Sequence, residues 1–127
     1  DDLLAAKIDQ IIDAATDITN LVGLTIREKD PDKKKLARKK LSTETLPKWF
    51  NFLENLLQEN KTSEWFAGDT MSVADLAIWR LLGWIISGKL DQVPTTILES
   101  FPNLTRHYSR VDTVPKVREW MSLKYGN

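Results

Sequence analysis

Leu4, Ile8, Ile11, Ala15, Ile18 and Val22 follow one another at steps of four and three residues, and Leu3, Ile12, Leu21 and Ile26 widen the stripe. Such steps return to one face of a helix. The pattern predicts a long amphipathic helix over about residues 3–28. Lys29-Asp-Pro-Asp32 ends it, because Pro31 disfavours helical backbone at Asp30 and suits the first position of a new helix. A second apolar face, with Leu36, Leu41, Trp49, Phe50, Phe52, Leu53, Leu56 and Leu57, runs to about Glu59. Pro47 lies inside it, lacks an amide and crowds the carbonyl four residues back. A kink or break is therefore expected near Thr43–Leu46.

Residues 60–70 read as a loop whose Trp65 and Phe66 pack inward. Met71-Ser-Val-Ala-Asp-Leu76 then carries a strong helix-start signal. The Ser72 hydroxyl can accept from the Asp75 amide while the Asp75 carboxylate reaches back to the Ser72 amide and faces the positive helix end. Met71 and Leu76 have the spacing of a hydrophobic staple. From Val73 to Ile86 only Asp75 and Arg80 are charged, so this helix is expected to be surrounded by others. It is shorter than the roughly 20 apolar residues of a membrane span. Ser87-Gly88 supplies a stop, and Pro94, Pro102 and Pro115 punctuate shorter helices at about 95–100, 103–112 and 115–124. No alternating strand pattern of useful length occurs. The expected class is all-α, a single domain over residues 1–127 built as a bundle of about five to six helices.

Composition narrows the function more than the fold. The 18 basic and 18 acidic residues balance, which removes any global pull toward nucleic acid or anionic membrane. With no Cys, disulfides, thiolate nucleophiles and Cys-ligated metals are excluded, and a reducing compartment is compatible. His107 is the one histidine; it cannot make a His cluster for a metal, and it is expected at the surface or partly packed rather than in catalysis. Lys33-Lys-Lys-Leu-Ala-Arg-Lys-Lys40 reads as a solvated helix face, since no basic-aromatic interleaving follows it. Asp75 is assigned to capping rather than acid–base work. Gly23, Gly68, Gly83, Gly88 and Gly126 form no phosphate-cradling motif. The chain starts at Asp1 without Met and without a signal or transit pattern, and a trimmed or partial protein is expected.

Trp65-Phe-Ala-Gly-Asp-Thr-Met-Ser-Val-Ala-Asp-Leu76, followed in order by Phe101-Pro-Asn-Leu104 and Val114-Pro-Lys-Val-Arg-Glu-Trp120, resembles the C-terminal all-helical domain of cytosolic glutathione transferases. The resemblance covers nearly the whole chain. Ala6-Lys-Ile-Asp-Gln-Ile-Ile-Asp-Ala-Ala-Thr-Asp17 and Glu44-Thr-Leu-Pro-Lys-Trp49 are most similar to the sigma-type branch, with mu and pi types next. It implies that a complete subunit also has an N-terminal thioredoxin-like domain, which binds glutathione and supplies the Tyr, Ser or Cys that activates its thiol. That domain is not in these residues. No catalytic residue is assigned here, and neither Tyr108 nor Tyr125 is given the thiol-activating role.

The chemistry so implied is formation of the glutathione thiolate and its attack on an electrophilic carbon or a peroxide. Glutathione is the cosubstrate, and the complete enzyme is a cytoplasmic homodimer that detoxifies small hydrophobic electrophiles. By the same resemblance Asp17 contacts the γ-glutamyl ammonium of glutathione across the dimer, and Thr19, Leu24, Ala77 and Leu81 line the electrophile pocket. Leu24 stands where a prostaglandin-isomerising sigma enzyme presents Trp, and Ala77 where it presents an aromatic residue, which argues against that specialisation. The plainer reading puts Asp17 on the polar face with Asp9 and Asp13, and Ala77 and Leu81 in ordinary packing. The alternative function is a non-catalytic docking module of the kind this helical domain forms in translation assemblies, or a crystallin-like structural protein. No metal, nucleic acid or membrane partner is expected.

Overall fold

Several helices in this chain start where a side chain stands ready to accept the first free amides. Asp1 accepts from the amides of Leu3 at 2.9 Å and Leu4 at 3.3 Å, and α1 follows as Asp2–Arg27. Asp30 accepts from Asp32 and Lys33, and Pro31 sets the first position of α2, Pro31–Lys40. The computed structural model describes residues 1–125, the side chain of Tyr125 excepted; the expectations for the Tyr125 hydroxyl and Gly126 lie outside the described residues. The remaining helices are α3 (Leu46–Glu59), α4 (Val73–Ile85), α5 (Pro102–Asp112) and α6 (Pro115–Tyr125). Among the described residues there is no strand. The all-α expectation holds.

The expected break before Pro47 takes a specific form. Leu41–Thr45 is a π-helical turn that joins α2 to α3, and the Leu46 amide donates to the Leu41 carbonyl five residues back. The wider turn relieves the clash that the Pro47 ring would make in a regular ladder. Ser42 and Thr43 turn their hydroxyls back to the Lys39 carbonyl. The segment expected as a helix at 95–100 is instead a single 3₁₀ turn, Ile97–Ser100, a length that geometry favours.

The main core brings together Ile11, Ile18 and Val22 of α1, Leu46, Phe50 and Leu53 of α3, Ile78, Leu82 and Ile85 of α4, and Leu104 of α5. A smaller cluster of Trp79, Val111 and Val117 joins α4, α5 and α6, with Met71, Leu76 and Met121 against it. α4 is not enclosed on every side, contrary to expectation. Val73 is 61% exposed, and Ala77, Arg80 and Trp84 continue the same stripe along the helix, half-buried or exposed.

Two charged side chains are buried where the sequence pattern did not place them. Glu54 lies on the apolar side of α3, and its two oxygens accept from the amides of Asn103 at 3.0 Å and Leu104 at 2.8 Å. Phe101, the cap residue of α5, makes no side-chain capping bond, so Glu54 serves as a cap delivered from another helix. Arg38 belongs to the basic run read as solvated, yet it is buried. Its Nε donates to Thr25 Oγ1 at 2.6 Å and its Nη1 to the Asp91 carbonyl at 3.3 Å. A guanidinium can serve two acceptors set apart in one plane, whereas the neighbouring lysines stay at or near the surface.

Tyr108 of α5 packs over Gly83 of α4, where a Cβ would stand 3.3 Å from the phenol oxygen. Burial, and then the Asp112 charge, push the Tyr108 hydroxyl above its ordinary pKa. The phenolate is the charged form, so a folded pKa above the unfolded one takes stability away as pH rises. Urea midpoints should therefore fall from about pH 10 upward, and fall less steeply in Tyr108→Phe than in the parent. For the remote cap, Glu54→Ala should lower unfolding stability by roughly 2–3 kcal/mol, and Glu54→Gln by about 1 kcal/mol, because the amide keeps one acceptor. Denaturant titration followed by tryptophan fluorescence measures both.

Candidate functional site

The capping box at the start of α4 is formed as expected, and it is larger than expected. Both of its reciprocal bonds are present; Asp75 Oδ2 accepts the Ser72 amide at 2.8 Å, and Ser72 Oγ also accepts from Ala74 at 3.2 Å. The other carboxylate oxygen, Oδ1, accepts the Phe66 amide at 3.0 Å and meets His107 Nε2 at 2.8 Å. Asp75 has no exposed surface and His107 only 2%. A buried carboxylate is stable when N–H donors and a helix N-terminus surround it. That condition is met here by donors from the connection between α3 and α4 and from α5.

His107 is thus fully buried, which corrects the expectation of a surface or partly packed side chain. Its ring stands edge-on to Phe66 at 4.7 Å and to Trp65 at 6.1 Å between centroids. Nδ1 is buried without a hydrogen-bond partner, so the tautomer that fits carries its proton on Nε2, toward Asp75. An Asp–His pair is also the frame of a general base. Here the free nitrogen is buried, and among the described residues it has no hydrogen-bond partner. The pair locks α5 to the start of α4.

The residues named by family resemblance lie elsewhere, on α1 and α4. Asp17 and Leu24 are two helical turns apart and share one edge of the exposed face of α1, and Leu24 is 60% exposed. Thr19 is exposed at the opposite edge of that face and donates its hydroxyl to the Ala15 carbonyl at 2.8 Å. Ala77 is half-buried against the main core on the open stripe of α4. Leu81 is buried in that core, so its part is packing. Asp9 and Asp13 are exposed alongside Asp17, and nothing in the local pattern sets Asp17 apart from them.

Two clefts are formed by other residues. One of about 220 Å³ opens between the end of α3, the following loop and α5, with Asn60, Glu64, Asn103, Arg106 and Arg110 on its walls. Another of about 440 Å³ runs between α4 and α6 past Met71, Leu76, Trp79, Val117 and Trp120. Neither includes Asp17, Thr19, Leu24 or Ala77. Among the described residues no group of three or more His, Cys, Asp or Glu side chains could hold a metal, and no helix is long and apolar enough to cross a membrane.

Comparison with known proteins agrees with this architecture. The family profile described as glutathione S-transferase, C-terminal domain, matches residues 16–124. A glutathione S-transferase of Plasmodium yoelii yoelii is 37% identical over 79 residues, covering 62% of this chain and 35% of the relative. Prostaglandin synthase D of Nilaparvata lugens superposes with a TM-score of 0.85 at 21% identity, over 98% of this chain and 59% of that one. The monomeric glutathione S-transferase Na-GST-3 of the hookworm Necator americanus gives a TM-score of 0.70 at 25% identity, over 94% and 57%. This chain therefore spans about a third of the curated relative. With that match across α1 to α6, the chain belongs to the glutathione S-transferase C-terminal domain family.

Proposed function

We propose that this chain is the helical domain of a glutathione transferase that conjugates or reduces small hydrophobic electrophiles, in a cytoplasmic, homodimeric enzyme of detoxification. The match to the family over residues 16–124 carries the reading. Exposure of Asp17 and Leu24 on one edge of α1 supports it at the level of residues. In this reading an N-terminal thioredoxin-like domain holds glutathione and activates its thiol, and the thiolate attacks the electrophile. The helical domain supplies recognition surface and is inactive alone.

Asp17 meets the γ-glutamyl ammonium of glutathione held by the partner subunit, where a carboxylate gives a charge-assisted hydrogen bond. Leu24 and Thr19 approach the electrophile from the two edges of the exposed face of α1, Ala77 adds a small apolar surface on α4, and Leu81 supports it from within. The open stripe of α4, apolar but for Arg80, is surface available to a further domain of the same subunit. Leu24 and Ala77 leave the wall smooth and aliphatic, which suits a range of apolar electrophiles better than one flat substrate.

The complete subunit is expected to be retained on immobilised glutathione and to conjugate chlorodinitrobenzene. Within it, Asp17→Asn should raise KM for glutathione about tenfold and leave KM for the electrophile within about twofold. A complete subunit that neither binds the resin nor turns over the probe refutes the enzyme reading. Recovery of a stoichiometric protein partner in its place would favour the docking module.

A further inference from the structure

Arg38 is 4% exposed, and among the described residues no carboxylate lies within ion-pair distance of it. A buried cation usually needs such a partner. In its place are Thr25 Oγ1 at 2.6 Å and the Asp91 carbonyl at 3.3 Å, and Thr25 Oγ1 itself donates to the Val22 carbonyl at 2.6 Å. These contacts make a strut from the loop after α4, through α2, to the last turn of α1. The negative end of α1 favours a cation there. Thr25 is the one buried residue of that last turn, flanked by Leu24 at 60% and Ile26 at 45% exposure. Glu28, which follows, already has extended backbone.

We infer that Arg38 is a positioning residue for the electrophile wall: through Thr25 it fixes the last turn of α1 and so the place of Leu24. The inference rests on Leu24 as part of that wall. Each neighbour of Arg38 in the basic run except Leu36 and Ala37 is lysine, and an ammonium could not span both acceptors in the same plane. A strut of this kind affects one substrate and not the other, because Asp17 lies two turns further into the helix.

The test is steady-state kinetics of the full-length subunit in both substrates. Arg38→Met and Thr25→Val are each expected to raise KM for the electrophile about tenfold, with KM for glutathione within about twofold of the parent. Thr25→Ser, which keeps the hydroxyl, should match the parent. The double variant should be no worse than the worse single one, since each change removes the same contact. Thermal melts confirm that each variant is folded at the assay temperature, and the Thr25→Ser and Thr25→Val pair suffices if Arg38→Met is not. An unchanged electrophile KM in folded Thr25→Val, or an equal rise in both KM values, overturns the inference. Absence of conjugating activity in the parent would instead remove the reading of Leu24 on which it rests, before any variant is assayed.

Discussion

The Asp75 carboxylate is the constraint around which this domain is assembled. It has no exposed surface, and a charge so placed is tolerable only while its donors stay in position. The Ser72 amide comes from the turn before α4, the Phe66 amide from the loop after α3, and His107 from α5. Two points on the connection between α3 and α4 and the distant α5 are therefore fixed relative to one another by one side chain. The aromatic rings of Trp65 and Phe66 pack edge-on against the His107 ring. Hydrophobic burial supplies most of the stabilisation, but it does not by itself choose between neighbouring registers of α4 and α5. The carboxylate does.

Glu54 and Arg38 repeat the principle at the other helix ends. Glu54 feeds two free amides at the start of α5, and Arg38 sits at the closing turn of α1. Negative groups meet helix N-termini and a positive one meets a C-terminus, as the macrodipole favours. Glu54 bridges α3 to α5, and Arg38 bridges α1 to the loop after α4. The loop after α3 is held in a similar way by polar contacts: Asn60 Nδ2 donates to the carbonyls of Trp65 and Gly68, and Gly68 takes a left-handed backbone with Leu4 of α1 directly against it.

Helices were legible in the sequence because their signals are local. The stripe through Ile11, Ile18 and Val22, the Asp-Pro start of α2 and the Ser72–Asp75 box each lie within a few residues. What was not legible spans the chain. His107 and Asp75 are 32 positions apart, and a lone histidine carries no mark of its partner. Arg38 was masked by lysines on both sides. Glu54 did leave a trace, since Leu53, Leu56 and Leu57 turn the same face inward around it. The candidate site was legible only through resemblance to a family, because a carboxylate that meets a ligand and one that meets water look alike beside Asp9 and Asp13. A pocket shared with another domain and another subunit also leaves no periodic imprint on one helix.

The π turn at Leu41–Thr45 has a geometric consequence for everything after it. It adds one residue to a single turn of an otherwise continuous rod, and one residue corresponds to a rotation of about 100°. Buried positions before and after it run at helical steps, Arg38 to Leu41 and Leu46 to Phe50 and Leu53, while Leu41 to Leu46 is a step of five. The turn therefore acts as a phase shifter between two half-rods whose apolar faces would otherwise point in different directions. In a lineage of related chains, gain or loss of a single residue at this place would swing Phe50, Leu53 and Glu54 away from α5 together. The segment is thus a point where length, rather than residue identity, is under physical constraint.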